Sequence, residues 1–200
     1  MKYMKEKMKK SSKKSTGSKE SVEKPAKTEP KKVATSWVTI RQAVALIVKA
    51  SDRGEMSLLL GPKTNGIVAG HMVPTGGHIE DTDLDAAETC ERETKAEAGL
   101  RISGGVRVAE LRVRIQNKKK KVIVQIFLYN GCSGRLKPDK LEFKWLKFYP
   151  FSEIPWKELV PGDEPWIRKV LLEGKRRLVT INCGRDRNDV RSVRMYPLSD

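Results

Sequence analysis

Glu93 and Glu97 lie four residues apart in the stretch Arg92-Glu93-Thr94-Lys95-Ala96-Glu97-Ala98-Gly99-Leu100. A helix repeats every ~3.6 residues, so both carboxylates fall on one face, one turn apart. Like charges side by side repel. Such a pair is best accommodated with a divalent cation or a cationic side chain between its members. Just upstream, Gly76-Gly77-His78-Ile79-Glu80 reads as a tight glycine turn. An exposed acidic helix face is the plain alternative. The glycines before the pair, with Arg92 and Gly99 around it, favour the metal.

The elements around these residues must bring the turn and the helix together. Asp81, Thr82 and Asp83 can each cap a helix start, and Gly99 is a C-terminal stop, so a helix is expected from about 81 to 98. Leu84, Ala87, Cys90, Thr94 and Ala98 share one helical face, with Glu93 and Glu97 beside it. Strands are expected at 41–50, 56–60 and 73–77, with a loop at 61–72. Further strands are expected at 106–116 and 122–129, around a basic hairpin turn at 117–121. A strand at 143–149 and a turn at 152–156 come next. Asp163 can cap a second helix, expected to run to about Glu173 with Pro165 in its first turn and Gly174 as its stop. A hairpin at 177–183 and 190–196 closes the chain. Strands, helix, strands, helix, strands describe a mixed α/β sandwich with helices on a largely β core.

Apolar residues make up 38% of the 200, enough for a core, yet no run approaches the ~20 needed to cross a bilayer. No membrane partner is expected. Residues 1–36 are Lys, Ser, Glu, Thr and Pro, too polar to repay ordering, and are expected to be a disordered basic tail before a domain at 37–200. The tail's 12 Lys and 4 Glu supply +8 of the total +16, so the folded part is basic in its own right. A basic fold suits a phosphate-bearing partner. Contact with RNA through the tail and through Lys118, Lys119, Lys120 and Lys121 is one reading; a solvated tail and hairpin tip is the other. Cys90, Cys132 and Cys183 are scattered and odd in number, as expected of reduced thiols in a cytoplasmic or nuclear protein. His71 and His78 suit surface positions, and Trp145 and Trp166 sit in apolar patterns that suit a core.

The segment from Gly76 to Leu100 resembles the signature of Nudix hydrolases: Gly, five residues, Glu, seven residues, then Arg-Glu-U-x-Glu-Glu-x-Gly-U, where U is aliphatic. Gly77, Arg92, Glu93, Glu97, Gly99 and Leu100 match it. The surroundings resemble the oxidised purine nucleoside triphosphate hydrolases (8-oxo-dGTPases). Leu58-Leu59-Leu60-Gly61, the segment Gly66 to Gly77, and Pro161-Gly162-Asp163-Glu164-Pro165-Trp166 carry that likeness. The resemblance implies an α/β/α sandwich with a mixed sheet. It also implies a pyrophosphohydrolase that cleaves a nucleoside diphosphate linked to another group. It implies Mg2+ (or Mn2+) held by Glu93, Glu97 and the Gly77 carbonyl, with one glutamate able to take a proton. Arg92 would tie the helix to the loop through Glu80 or Asp83. Val73, Asp163 and Trp166 would line the substrate pocket.

The chain departs from the signature in three places. Asp83 replaces a Glu, Ala96 replaces the first Glu of the Glu-Glu pair, and one extra residue separates Gly77 from Arg92. Asp83 and Ala96 are expected to lower the charge of the metal site. A later acid is a common further ligand; Lys140 stands at the matching place here, with Asp139 and Glu142 beside it as the two substitutes. Base recognition departs as well, with Met72 and Val73 for a Trp-Asn pair, Gly162 for the first of two Asp, and Val160 for a stacking Trp. A catalytically weakened or inactive module binding RNA or a ribonucleoprotein is the alternative to an active enzyme.

Overall fold

The computed structural model describes residues 36–199. The basic tail expected over 1–36 lies outside the described residues apart from Ser36. Nine strands form one mixed sheet: β1 (Val38–Ala50), β2 (Met56–Pro62), β3 (Met72–Val73), β4 (Thr75–His78), β5 (Val106–Ile115), β6 (Lys120–Asn130), β7 (Lys147–Pro150), β8 (Arg177–Cys183) and β9 (Val190–Pro197). The order is β3-β2-β1-β6-β5-β8-β9, with β4 on β1 and β7 on β2. The pairs β1–β6 and β5–β8 are parallel, and the remainder are antiparallel, so the sheet is mixed as expected.

β1 is the spine. Its C-terminal half pairs with β2 and its N-terminal half with β4, while β6 runs along its other edge. Its alternation places Ala43, Ala45 and Ile47 on one face and Leu46 and Val48 on the other. Two helices cover these faces. α1 (Ala86–Ala98) buries Ala86, Cys90 and Ala98 on the first, and α2 (Glu164–Glu173) buries Trp166, Ile167 and Val170 on the second.

Several expectations need correction. α1 begins at Ala86, not near 81, because Asp85 is the residue whose side chain accepts the Glu88 N–H, at 2.8 Å. Leu84 therefore lies in the preceding turn and is 91% exposed. The strand expected at 143–149 is only Lys147–Pro150. Before it, the Phe143 N–H turns back to the Asp139 carbonyl at 2.8 Å, so strand alternation does not hold. Phe143 and Leu146 point inward and Trp145 points out, against its expected core position. Trp166 does lie in the core. A bulge between Arg107 and Ala109 throws Val106 out of phase with Val108, Leu111, Val113 and Ile115, which stay buried. Lys120 and Lys121 belong to β6 rather than to the hairpin turn.

Candidate active site

Glycines bring β4 and α1 together. The Gly77–Ala43 register turns Gly77 toward the helix, and a β-carbon there would come within 2.3 Å of Glu93 Oε1. The Thr75 and Thr94 hydroxyls meet at 2.8 Å and lock the same two elements. Both glutamates thus face the glycine bend. Glu97 does not lie beside the buried face but within it, only 4% exposed. Its Oε2 accepts the Gly76 N–H at 2.9 Å.

A cation already stands between Glu97 and a third acid, Glu142. The Lys63 ammonium, just past β2, donates to Glu97 Oε1 and meets Glu142 Oε2 at 2.8 Å. It also lies 4.6 Å from the Phe143 ring centroid. Burial alone would lower the Lys63 pKa, but the Glu97 and Glu142 carboxylates outweigh it and the net shift is upward. Burial pushes the Glu97 carboxyl up, opposed by Lys63 and the Gly76 N–H and assisted by the Glu93 charge. The hydrogen bond from Lys63 lowers Glu142. Asp139 is engaged differently, capping a turn through the Leu141 N–H at 2.9 Å.

Arg92 ties the helix to the preceding turn through both expected acids. Its Nε and Nη2 each bond one Asp83 oxygen at 2.9 Å, and Nη1 reaches Glu80 at 3.4 Å and Glu93 at 2.9 Å. Nη2 also donates to the His78 carbonyl. Asp83 further accepts the Glu80 N–H and the Thr89 hydroxyl. These donors, Arg92 foremost, hold the Asp83 carboxyl well below the usual carboxylate range. Asp83 is thus the hub of the turn, so its shortening does not remove charge from the Glu93–Glu97 pair.

The bend opens on a cavity of about 610 Å³, lined by Lys63, Glu93, Glu97 and Glu142 at one end and by Val73, Val160, Asp163, Trp166 and Arg187 elsewhere. The size suits a small organic ligand. Val73, Asp163 and Trp166 thus line one cavity with the acids. Asp163 sits at the N-cap of α2, but its side chain makes no cap bond. Its Oδ1 instead accepts Arg187 Nη2 at 2.6 Å and Trp166 Nε1 at 3.2 Å. Burial raises the Asp163 carboxyl, opposed by Arg187.

Among the described residues no three His, Cys, Asp or Glu side chains converge as a metal-ligand group. Magnesium rarely needs one, because it keeps several waters and uses one or two carboxylates plus substrate phosphate. Glu93 and Glu97, turned to the same bend, fit an ion shared with phosphate rather than an all-protein cage. Sequence reasoning missed Lys63 and Arg187. Each lies in a loop, and no spacing marks either as a partner of Glu97 or Asp163.

A NUDIX domain family model matches residues 21–170. The chain belongs to the Nudix family. No curated protein sequence matches it. Among solved structures, this Nudix chain is similar to a MutT protein from Bacillus halodurans at 20% identity and a TM-score of 0.65, over 80% of this chain and 99% of that one. A MutT protein from Methanosarcina mazei Go1 matches at 22% identity and a TM-score of 0.56, over 70% and 97%. The NUDIX domain of Shewanella oneidensis NrtR, solved with ADP ribose, matches at 13% identity and a TM-score of 0.50, over 64% and 80%. At such identities the likeness establishes the Nudix hydrolase fold.

Proposed function

We propose that this Nudix protein is a pyrophosphohydrolase of nucleoside diphosphates linked to a further group, working with Mg2+ or Mn2+. The observation that carries the reading is the turning of Glu93 and Glu97 onto the Gly76–Gly77 bend at the mouth of the cavity. Glu93, Glu97 and the Gly77 carbonyl would hold the ion, with Glu142 near them. When bound, the ion neutralises phosphate charge and lowers the pKa of a coordinated water. Glu93, less enclosed than Glu97, accepts the proton of the attacking water. The water oxygen bonds to phosphorus, the anhydride P–O bond breaks, and the leaving phosphate keeps the electron pair. Arg92 fixes Glu93 and the turn. Lys63 adds positive charge where phosphate oxygens would lie.

Val73, Asp163 and Trp166 are proposed to contact the nucleoside. The motifs resemble the oxidised-purine branch, but its substrate is not carried over. Val73 and Val160 replace a polar reader and a stacking ring, and the Asp163 carboxylate is engaged by Arg187. The ADP ribose bound by the Shewanella domain makes nucleoside diphosphate sugars a sensible part of a substrate screen. A domain at 37–200 and a cytoplasmic or nuclear setting, the latter suited to three unpaired cysteines, complete the proposal. Turnover of 8-oxo-dGTP, ADP ribose, nucleotide sugars and dinucleoside polyphosphates should be measured with each metal. At least one should be hydrolysed, and Glu97→Gln should abolish that hydrolysis. A silent screen would sink the proposal and favour the inactive module.

A further inference from the structure

Among the described residues, the sheet is covered on only one side along the first half of β6 and along β5, β8 and β9. α2 and the cavity lie against Leu111, Val113, Val122, Val124 and Ile181 on that side. α1 covers the opposite side only around Ala43, Ala45, Ile47 and Tyr129. Residues paired across a ladder point to the same face. The registers therefore set Thr39, Lys121, Arg114, Asn182 and Ser192 in one row of the open side. Arg41, Ile123, Arg112, Thr180 and Arg194 form the next row, followed by Gln125, Glu110, Leu178 and Tyr196. All of these residues are exposed or half-buried.

The charge on this face is predominantly positive. Among the described residues Glu110 is the one acid in these rows, and it is taken by Arg107 and Arg112. Among the described residues Arg41, Arg114 and Arg194 have no acidic partner. Lys121 extends the row to Trp37, with Nζ 5.5 Å from the ring centroid. Massed cations repel one another unless a polyanion covers them. The rest of the surface is chemically mixed in a useful way. Tyr196, 47% exposed, can stack, Ile123 and Leu178 are apolar, and Thr39, Thr180, Asn182 and Ser192 can hydrogen-bond. An exposed sheet face can hold splayed bases while cations follow the backbone.

We propose that this open face is a binding platform for single-stranded nucleic acid, back to back with the nucleotide cavity. The test uses the full 200-residue chain and a fluorescent 12-nucleotide single-stranded RNA, followed by anisotropy from 50 to 300 mM KCl. The combined variant Arg41→Gln, Arg114→Gln, Arg194→Gln should bind at least tenfold more weakly at 100 mM salt. Its slope of log affinity against log salt should fall by about 2, at ~0.7 per lost contact. Tyr196→Ala should cost about fivefold or more. Neither variant should alter nucleotide hydrolysis, because both lie on the side away from the cavity. An absence of binding by the parent would overturn the proposal. Equal affinity and slope in the triple variant would move the contact to the Lys-rich segment and also overturn it. Displacement of the RNA by poly-glutamate of equal charge, or indifference to Tyr196→Ala, would assign the face to some other polyanion.

Discussion

Lys63 and Glu97 pair across the gap between β2 and α1, with side chains only 12% and 5% exposed. Removing one member of a largely buried pair strands the other, whereas removing both relieves the penalty. Lys63→Met should lower stability by roughly 3 kcal/mol at neutral pH. The double variant Lys63→Met, Glu97→Gln should recover much of that loss in urea unfolding. Additive losses would show that the two residues are not coupled.

Gly77 leaves no room for a side chain beneath Glu93. Gly77→Ala should force the carboxylate off the bend and reduce nucleotide turnover about a hundredfold, since a shift near 1 Å is enough for such a loss. The thermal midpoint should change little, because the displaced group is partly exposed. Turnover equal to the parent would separate Glu93 from the chemistry.

Arg187 and Asp163 close the far part of the cavity. Arg187→Met leaves a buried carboxylate with only the Trp166 N–H, and should destabilise the fold by roughly 3 kcal/mol. Asp163→Asn added to it should restore stability, while the KM for the best nucleotide stays changed. A KM unchanged in the double variant would remove the pair from substrate contact.

Cys90 and Tyr129 give the fold an alkaline limit. Burial first of all pushes the Cys90 thiol from 9.0 up to about 12, and burial raises Tyr129 as well. The folded chain therefore keeps protons that the unfolded chain releases. This contribution is complete below pH ~9 and is lost as pH rises from there toward 12. The urea midpoint should fall between pH 8 and pH 10.5, and Cys90→Ala should flatten that fall. A midpoint equally steep in the variant would locate the titration elsewhere.

Periodicity revealed most of the strands and both helices because one face of each is buried. Leu111, Val113 and Ile115 could be read as inward-facing from alternation alone, and Gly99 and Gly174 as helix stops. What sequence could not reveal was pairing at a distance. Lys63 and Glu142 are 79 positions apart yet meet at 2.8 Å, because β2 and the turn after Asp139 lie side by side. Trp145 failed for a related reason. Its apolar neighbours suited a strand, but the turn anchored at Asp139 reset which side chains point inward. Asp83 was legible as a departure from a signature, while its four hydrogen bonds, which explain why the shorter side chain suffices, belong to three dimensions.

One more residue separates Gly77 from Arg92 than the signature allows, yet α1 runs unbroken from Ala86 to Ala98. The surplus is taken up between His78 and Ala86, where the Asp83–Arg92 clasp and the Asp85 cap fix both ends of the slack. The phase of the helix against the bend is thus independent of contour length. Segments of other lengths between the same fastenings would deliver Glu93 and Glu97 to the same spot, leaving this short span open to insertion while the acids stay in register.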